Sequence, residues 1–462
     1  QVPGPLKLLG PVTSGLSPDI LELPPRSLGA SRAMPARCLF SCSEHVGHLN
    51  PTLPLVRGLV GLGHEVHFMC MEMARGKIEA AGAIYHDTAA VQTELYESCE
   101  NPGRLAIFDI MEKQGLEMSF LNVLRCLNVS LELELPGTLR LLRRLQPDVV
   151  VYDPLIHSRA VPLAAKVLGI PAVGLLTLAG PGSMRTHAPA LLRPLALEEA
   201  GQLRDFPPHL EATERINAAH GLGLKETLLL PDGYLDTCLG NRVLVTTTAH
   251  LQDPMTSALA KAYEQESSIF TFVGPLLPSP DLGSQDEDGV LRRVRAAKAA
   301  GLKVVAVSMG TVVTSNDQVA GWDADLDGRT LSGRELCRGV WAGAFDASRD
   351  APGGVSAVLV VAALGRQPHP LGHVEVPDNA ICVQSFAQVE LLRSGVDVFV
   401  THGGQNSFTE ALACSTPVVV CPGFGDQEVN AKKAETLVMC KMMGPFYSLG
   451  IDLNLGIVAG IL

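Results

Sequence analysis

The chain has 462 residues, 47% of them hydrophobic and 18% charged, and carries a formal net charge of −12. That length suits two domains of ordinary size, and that composition suits a soluble globular α/β protein and excludes a disordered one. The acidic balance, with no basic aromatic stripe against it, excludes a nucleic-acid surface, which needs clustered Lys and Arg. Eleven cysteines fall mostly inside apolar runs (Cys38, Cys42, Cys70, Cys382, Cys421) and form no CxxC pair. They read as small hydrophobes in a reducing cytosol rather than zinc ligands, so a cytoplasmic location is expected. No run of about 18 apolar residues offers a membrane-spanning helix.

In chain order, residues 1–33 are rich in Pro, Gly, Leu and Ser, lack the basic start of a signal peptide, and read as a disordered lead. RCLFSC from Arg37 is a strand, followed by a loop, SEHVGHLNP. LPLVRGLVGLG is helical and stopped by Gly63; its GLVGLG ends a helix rather than opening one, which argues against a dinucleotide fingerprint. HEVHFMCM alternates as a strand, with His64 and His67 on a strand face and no assigned role. Strand–helix–strand at this spacing implies a parallel crossover. Residues 88–135 and 180–240 are less regular, helical in places. Between them PDVVVYD is a buried strand ending in Asp153, and KVLGIPAVGLLT, NRVLVTTTAHL and SIFTFVGPLLP supply further strands. Asn128-Val-Ser130 matches a glycosylation acceptor, read here as a chance match. Pro278–Gly289 is acidic and turn-rich, a linker.

After the linker the pattern restarts. KVVAVS (303–308) is a strand running into MGTVVTSND, Ser332-Gly-Arg-Glu335 is a capping box opening a helix, and SAVLVVAAL and ICVQSF are strands. Val396 to Ala431 then reads strand, glycine turn, helix, strand, and a loop carrying Asp426, Gln427 and Asn430. Helix-start N–H groups attract anions, and glycines let the backbone approach a diphosphate. The expected fold class is α/β: two Rossmann-like doubly wound lobes facing a cleft, with 34–277 as the acceptor-binding lobe, 278–290 as linker and 291–462 as the donor-binding lobe.

On these residues the chain resembles the UDP-sugar-dependent glycosyltransferases, plant secondary-product and bacterial macrolide enzymes of the GT-B fold. The resemblance rests on His402, Gly404, Asn406, Ser407 and Glu410, followed by Asp426, Gln427 and Asn430. It implies that His402 and the amides near Gly404 contact the diphosphate, that Asn406 and Ser407 hold phosphate oxygens, and that Glu410 takes the ribose hydroxyls. Asp426 and Gln427 would then bind the hexose, while Ser308, Gly310 and Thr311 reach the phosphates. Where relatives carry aromatic-x-Pro-Gln, this chain has Ser385-Phe386-Ala387-Gln388, so Phe386 would supply the stacking aromatic and Gln388 the adjoining contact. Each has a bland alternative: Ser407-x-x-Glu410 is also capping-box spacing, His402 could be structural, and Asp426-Gln427 could be turn chemistry.

The reaction implied is inversion of a UDP-hexose, with glucose favoured, onto a hydroxyl of a small lipophilic acceptor. It needs a base, which the resemblance places at His48 with Asp153 as its partner; His45 is a competitor for the first role, and a helix N-cap an alternative for the second. No cofactor and no metal are expected. Only 32 residues follow Asn430, so a truncated, catalytically weak UDP-sugar-binding protein is a second reading and a two-lobed epimerase a third.

Overall fold

A computed structural model of the chain describes residues 35–437, apart from short stretches of which the longest are 184–202 and 280–288. The 1–33 lead, most of the acidic linker and the tail beyond Leu437 lie outside the described residues.

Two parallel sheets dominate. The first contains β1 (Arg37–Ser41), β2 (Glu65–Cys70), β3 (Ile84–Asp87), β4 (Val149–Tyr152), β5 (Ala172–Leu176), β8 (Arg242–Val245) and β9 (Ile269–Phe272), in the order β3-β2-β1-β4-β5-β8-β9. A small antiparallel pair, β6 (Leu229–Leu230) and β7 (Tyr234–Leu235), stands apart from it. The second sheet contains β10 (Lys303–Ser308), β11 (Val358–Ala363), β12 (Ala380–Val383), β13 (Val398–Thr401) and β14 (Val418–Val420), in the order β12-β11-β10-β13-β14.

Near-continuous apolar strands are what a sheet covered by helices on both faces requires. In β10, Val305 and Val307 join the cluster around Trp341 and Phe345, while Val304 and Ala306 join the one around Phe399 and Phe408. In β1, Cys38 and Phe40 face one layer and Leu39 the other. Both sheets therefore bury both faces, and both reverse strand order beside their central strand. Those reversals, between β1 and β4 and between β10 and β13, are where open α/β sheets bind ligands.

The region read as irregular from 88 to 135 holds much of a 26-residue helix, Phe120–Leu145, capped by the Ser119 side chain. Pro136 and Gly137 lie inside it, which is why its periodicity was hard to read. Asn128 of the glycosylation match is 0% exposed and bonded to Thr213 and Arg159, so no oligosaccharide reaches it. His64 precedes β2 and accepts the Ala36 N–H, whereas His67 is buried on the strand and bonded to His86. The Ser332–Glu335 capping box is present as expected. All nine described cysteines are free, and no described helix is long and apolar enough to cross a membrane.

The turn after β13 admits no side chain. Gly403 sits at φ +81°, and a Cβ there would lie 2.4 Å from Val420 Cγ1 on the neighbouring strand. Backbone strain and overpacking each cost about 1–3 kcal/mol, so Gly403→Ala should destabilise the second lobe by roughly 2–4 kcal/mol. The chain's two tryptophans, Trp322 and Trp341, both lie in that lobe. Urea unfolding followed by their fluorescence reads the loss directly.

Candidate active site

His48 does not stand on a loop. The chain leaves β1 and enters the helix Val46–Gly61 almost at once, with His45 as N-cap, so His48 occupies the first turn. Its Nδ1 lies 2.9 Å from Asp153 Oδ2 and 3.0 Å from Thr177 Oγ1. Asp153 follows β4 and its N–H donates to the Ser41 carbonyl at 3.0 Å. It caps no helix: the next one, Ala160–Leu168, has Arg159 at its cap. β1 and β4 are adjacent, which is how residues 105 positions apart come to touch. Thr177, just past β5, carries no sequence signal beyond its position at a strand end. His45 turns instead to Ser43, its Nδ1 2.6 Å from the hydroxyl.

Burial disfavours the charged form of His48. The Asp153 carboxylate outweighs it, with Asp426 and Glu44 adding, so the pKa stands above the ordinary histidine value. With Nδ1 turned to Asp153, Nε2 meets no hydrogen-bond partner among the described residues.

Across the cleft, β13 delivers His402, Gly403 and Gly404 to the start of the helix Gln405–Ala413. The His402 ring is wedged between two glycines. A Cβ at Gly310 or at Gly404 would come within 2.5 Å of it. Burial, only partly opposed by Asp426 and by the Ser308 backbone, holds its pKa below the ordinary value. Ser308 ends β10 and is buried, while Thr311 is exposed in the turn that follows. Asp426 Oδ2 accepts the Gln405 N–H at 2.7 Å. Among the described residues the Asn406 and Ser407 N–H groups meet no acceptor, and they form the free anion-seeking end of this helix.

Glu410 is no capping residue, because its helix starts at Gln405 and Ser407 already lies inside it. Gln388 donates to Glu410 at 2.6 Å and to Ser407 at 3.2 Å, which joins the three into one patch. Burial pushes the Glu410 pKa up to about 7, against the Gln388 hydrogen bond and with help from Glu390. Phe386 is half-buried against the core cluster that includes Phe408. Gln427 Oε1 accepts the Gly423 and Phe424 N–H groups at 2.7 and 3.1 Å, so its carbonyl oxygen holds its own turn. Asn430 is likewise structural, donating to the Gly403 carbonyl at 2.9 Å.

Among the described residues, hydrogen bonds tie the second lobe to the first at two places and to the linker at one. Asn406 donates to the Gly47 carbonyl at 2.5 Å, Lys433 to the Leu251 carbonyl at 2.8 Å with an ion pair to Asp253, and Arg393 to the Pro278 carbonyl at 2.8 Å. None of these was foreseen from sequence.

Residues 358–442 match the family described as UDP-glucoronosyl and UDP-glucosyl transferase, a span that holds the whole turn from Phe386 to Asn430. Over that span the chain carries a glycosyltransferase domain. It is 26% identical to the NDP-glycosyltransferase YjiC of Bacillus subtilis (strain 168), over 85% of this chain and 80% of that one. It is 27% identical to the oleandomycin glycosyltransferase of Streptomyces antibioticus, over 88% and 78%. The solved glycotransferase of kitacinnamycin is similar at a TM-score of 0.59 and 21% identity, over 92% of this chain and 90% of that one. VinC in complex with dTDP is similar at 0.57 and 19%, over 92% and 90%. The two-lobed fold is thus that of the GT-B enzymes.

Asp153→Asn should lower the His48 pKa, measured by NMR titration of its ring protons. The sign follows from linkage: a histidine raised on folding contributes stability below its unfolded pKa, and that contribution is lost as pH rises through the folded pKa. The mutant should accordingly lose thermal stability at pH 5 to 6 and little of it at pH 8.

Proposed function

We propose that the protein transfers a hexose, glucose first, from a UDP-sugar to a hydroxyl of a small lipophilic acceptor, with inversion at the anomeric carbon. The observation that carries this reading is the His48–Asp153 pair, with Nε2 free, lying across the cleft from the glycine turn and its unbonded helix-start amides. The acceptor hydroxyl loses its proton to His48 Nε2 as its oxygen attacks the anomeric carbon. The bond from that carbon to the β-phosphate oxygen breaks, and UDP departs. Asp153 stabilises the imidazolium that forms.

The Asn406 and Ser407 amides and the positive end of their helix take up the charge on the diphosphate, with neutral His402 beside them. Ser308, Gly310 and Thr311 close the phosphate site from β10. Glu410 receives the ribose hydroxyls, its carboxyl already oriented by Gln388, and Phe386 lies against the base. Asp426 keeps Oδ1 for a hexose hydroxyl, since Oδ2 serves Gln405 and Asn430. The donor and the acceptor are the only small molecules this chemistry needs, and no resident cofactor or metal enters it. A thymidine diphosphate donor is a second reading, favoured by the fold shared with VinC, which was solved with dTDP.

The test is a transfer assay with UDP-glucose and dTDP-glucose as alternative donors and a flavonol or a macrolide as acceptor. A β-glycoside is expected, its configuration read from the anomeric proton coupling. His48→Ala should lower kcat about 10²–10⁴-fold. An α-linked product, or a mutant within threefold of the parent, would defeat the reading; donor hydrolysis alone would leave a sugar-nucleotide binder.

A further inference from the structure

The bond between Asn406 and Gly47 joins the expected donor site to the residue next to the expected base. Its acceptor has a local cause. In an α-helix the carbonyl of residue 47 receives the N–H of residue 51, but residue 51 is Pro51 and has none. The helix Val46–Gly61 keeps going regardless, with Pro51 buried inside it. Gly47 is thus left with a carbonyl that its own helix cannot use, and the Asn406 amide fills it at 2.5 Å. A Cβ at Gly47 would lie 3.6 Å from Asn406 Nδ2, an ordinary van der Waals contact. His48 follows directly in the same turn, held by its own N–H to the His45 carbonyl at 2.9 Å and by Thr52, whose hydroxyl donates to the His48 carbonyl at 2.8 Å. On the other side, Asn406 is the second residue of the helix that begins at Gln405, with its backbone N–H unspent.

We propose that Asn406 is a positioning residue that couples donor occupancy to the placement of His48, through the Gly47 carbonyl that Pro51 leaves vacant. An amide carries two N–H groups. One is given to Gly47, and the second serves a diphosphate oxygen, so one side chain touches donor and base helix together. Pro51 is the device that makes this possible. The inference rests on the donor site proposed above, but concerns a different link.

Pro51→Ala restores an N–H that competes for Gly47 while leaving the donor turn untouched. It should reduce kcat roughly tenfold, the range expected when a positioned base shifts by a fraction of an ångström, with UDP affinity by calorimetry within about threefold of the parent, the span of one neutral hydrogen bond. Asn406→Ala should lower kcat comparably and also weaken UDP binding, because it loses the phosphate contact. The double variant should be no slower in kcat than Asn406→Ala alone, since both remove one link. A merely structural effect of Pro51→Ala would lower kcat independently of residue 406, and so give additive losses. Additivity, or a Pro51→Ala kcat within twofold of the parent, overturns the coupling. Failure of the unaltered protein to bind UDP or dTDP sinks the donor site instead, and is read separately in the same calorimetry.

Discussion

A carboxylate taken out of water must be matched, and the pairing of Asp153 with His48 is the match on which the cleft depends. Asp153 is 3% exposed, a position in which an unpartnered charge would be costly. The pair exists because β1 and β4 are neighbours in a sheet whose order reverses between them. Swap either strand outward by one place and the imidazole loses its carboxylate. The second sheet repeats the same arrangement with β10 and β13, and there the space goes to a glycine turn. One topological rule, applied twice, yields a histidine–carboxylate pair on one side of the cleft and a glycine turn on the other.

The two cleft histidines are held in opposite conditions by what surrounds them. Asp426 favours the charged form of both. At His48 a second, closer carboxylate tips the balance upward, whereas at His402 burial wins. The result is an imidazole inclined to take a proton facing one that stays neutral.

Much of this was legible beforehand, for identifiable reasons. The strands announce themselves because both faces are buried, so Val304–Val307 and Val398–Val400 run apolar without alternation. The turn at Gly403–Gly404 announces itself because only glycine fits beside Val420 and His402. What escaped was what proline hides and what distance separates. Pro51 and Pro54 mask the start of the first helix, and Pro136 masks the long one. Thr177 and Gly47 acquire meaning only from contacts 129 and 359 residues away. Gln427 adds a second job the dipeptide does not announce, since its carbonyl oxygen also holds its own turn.

The wedging of His402 between Gly310 and Gly404 carries a consequence for anyone wishing to reshape this enzyme. The three positions behave as one mechanical part. A methyl group added to either glycine evicts the ring, while a smaller residue in place of the ring opens room on both sides at once. Libraries that randomise these sites singly will find only losses. Productive variants are to be sought by exchanging all three together.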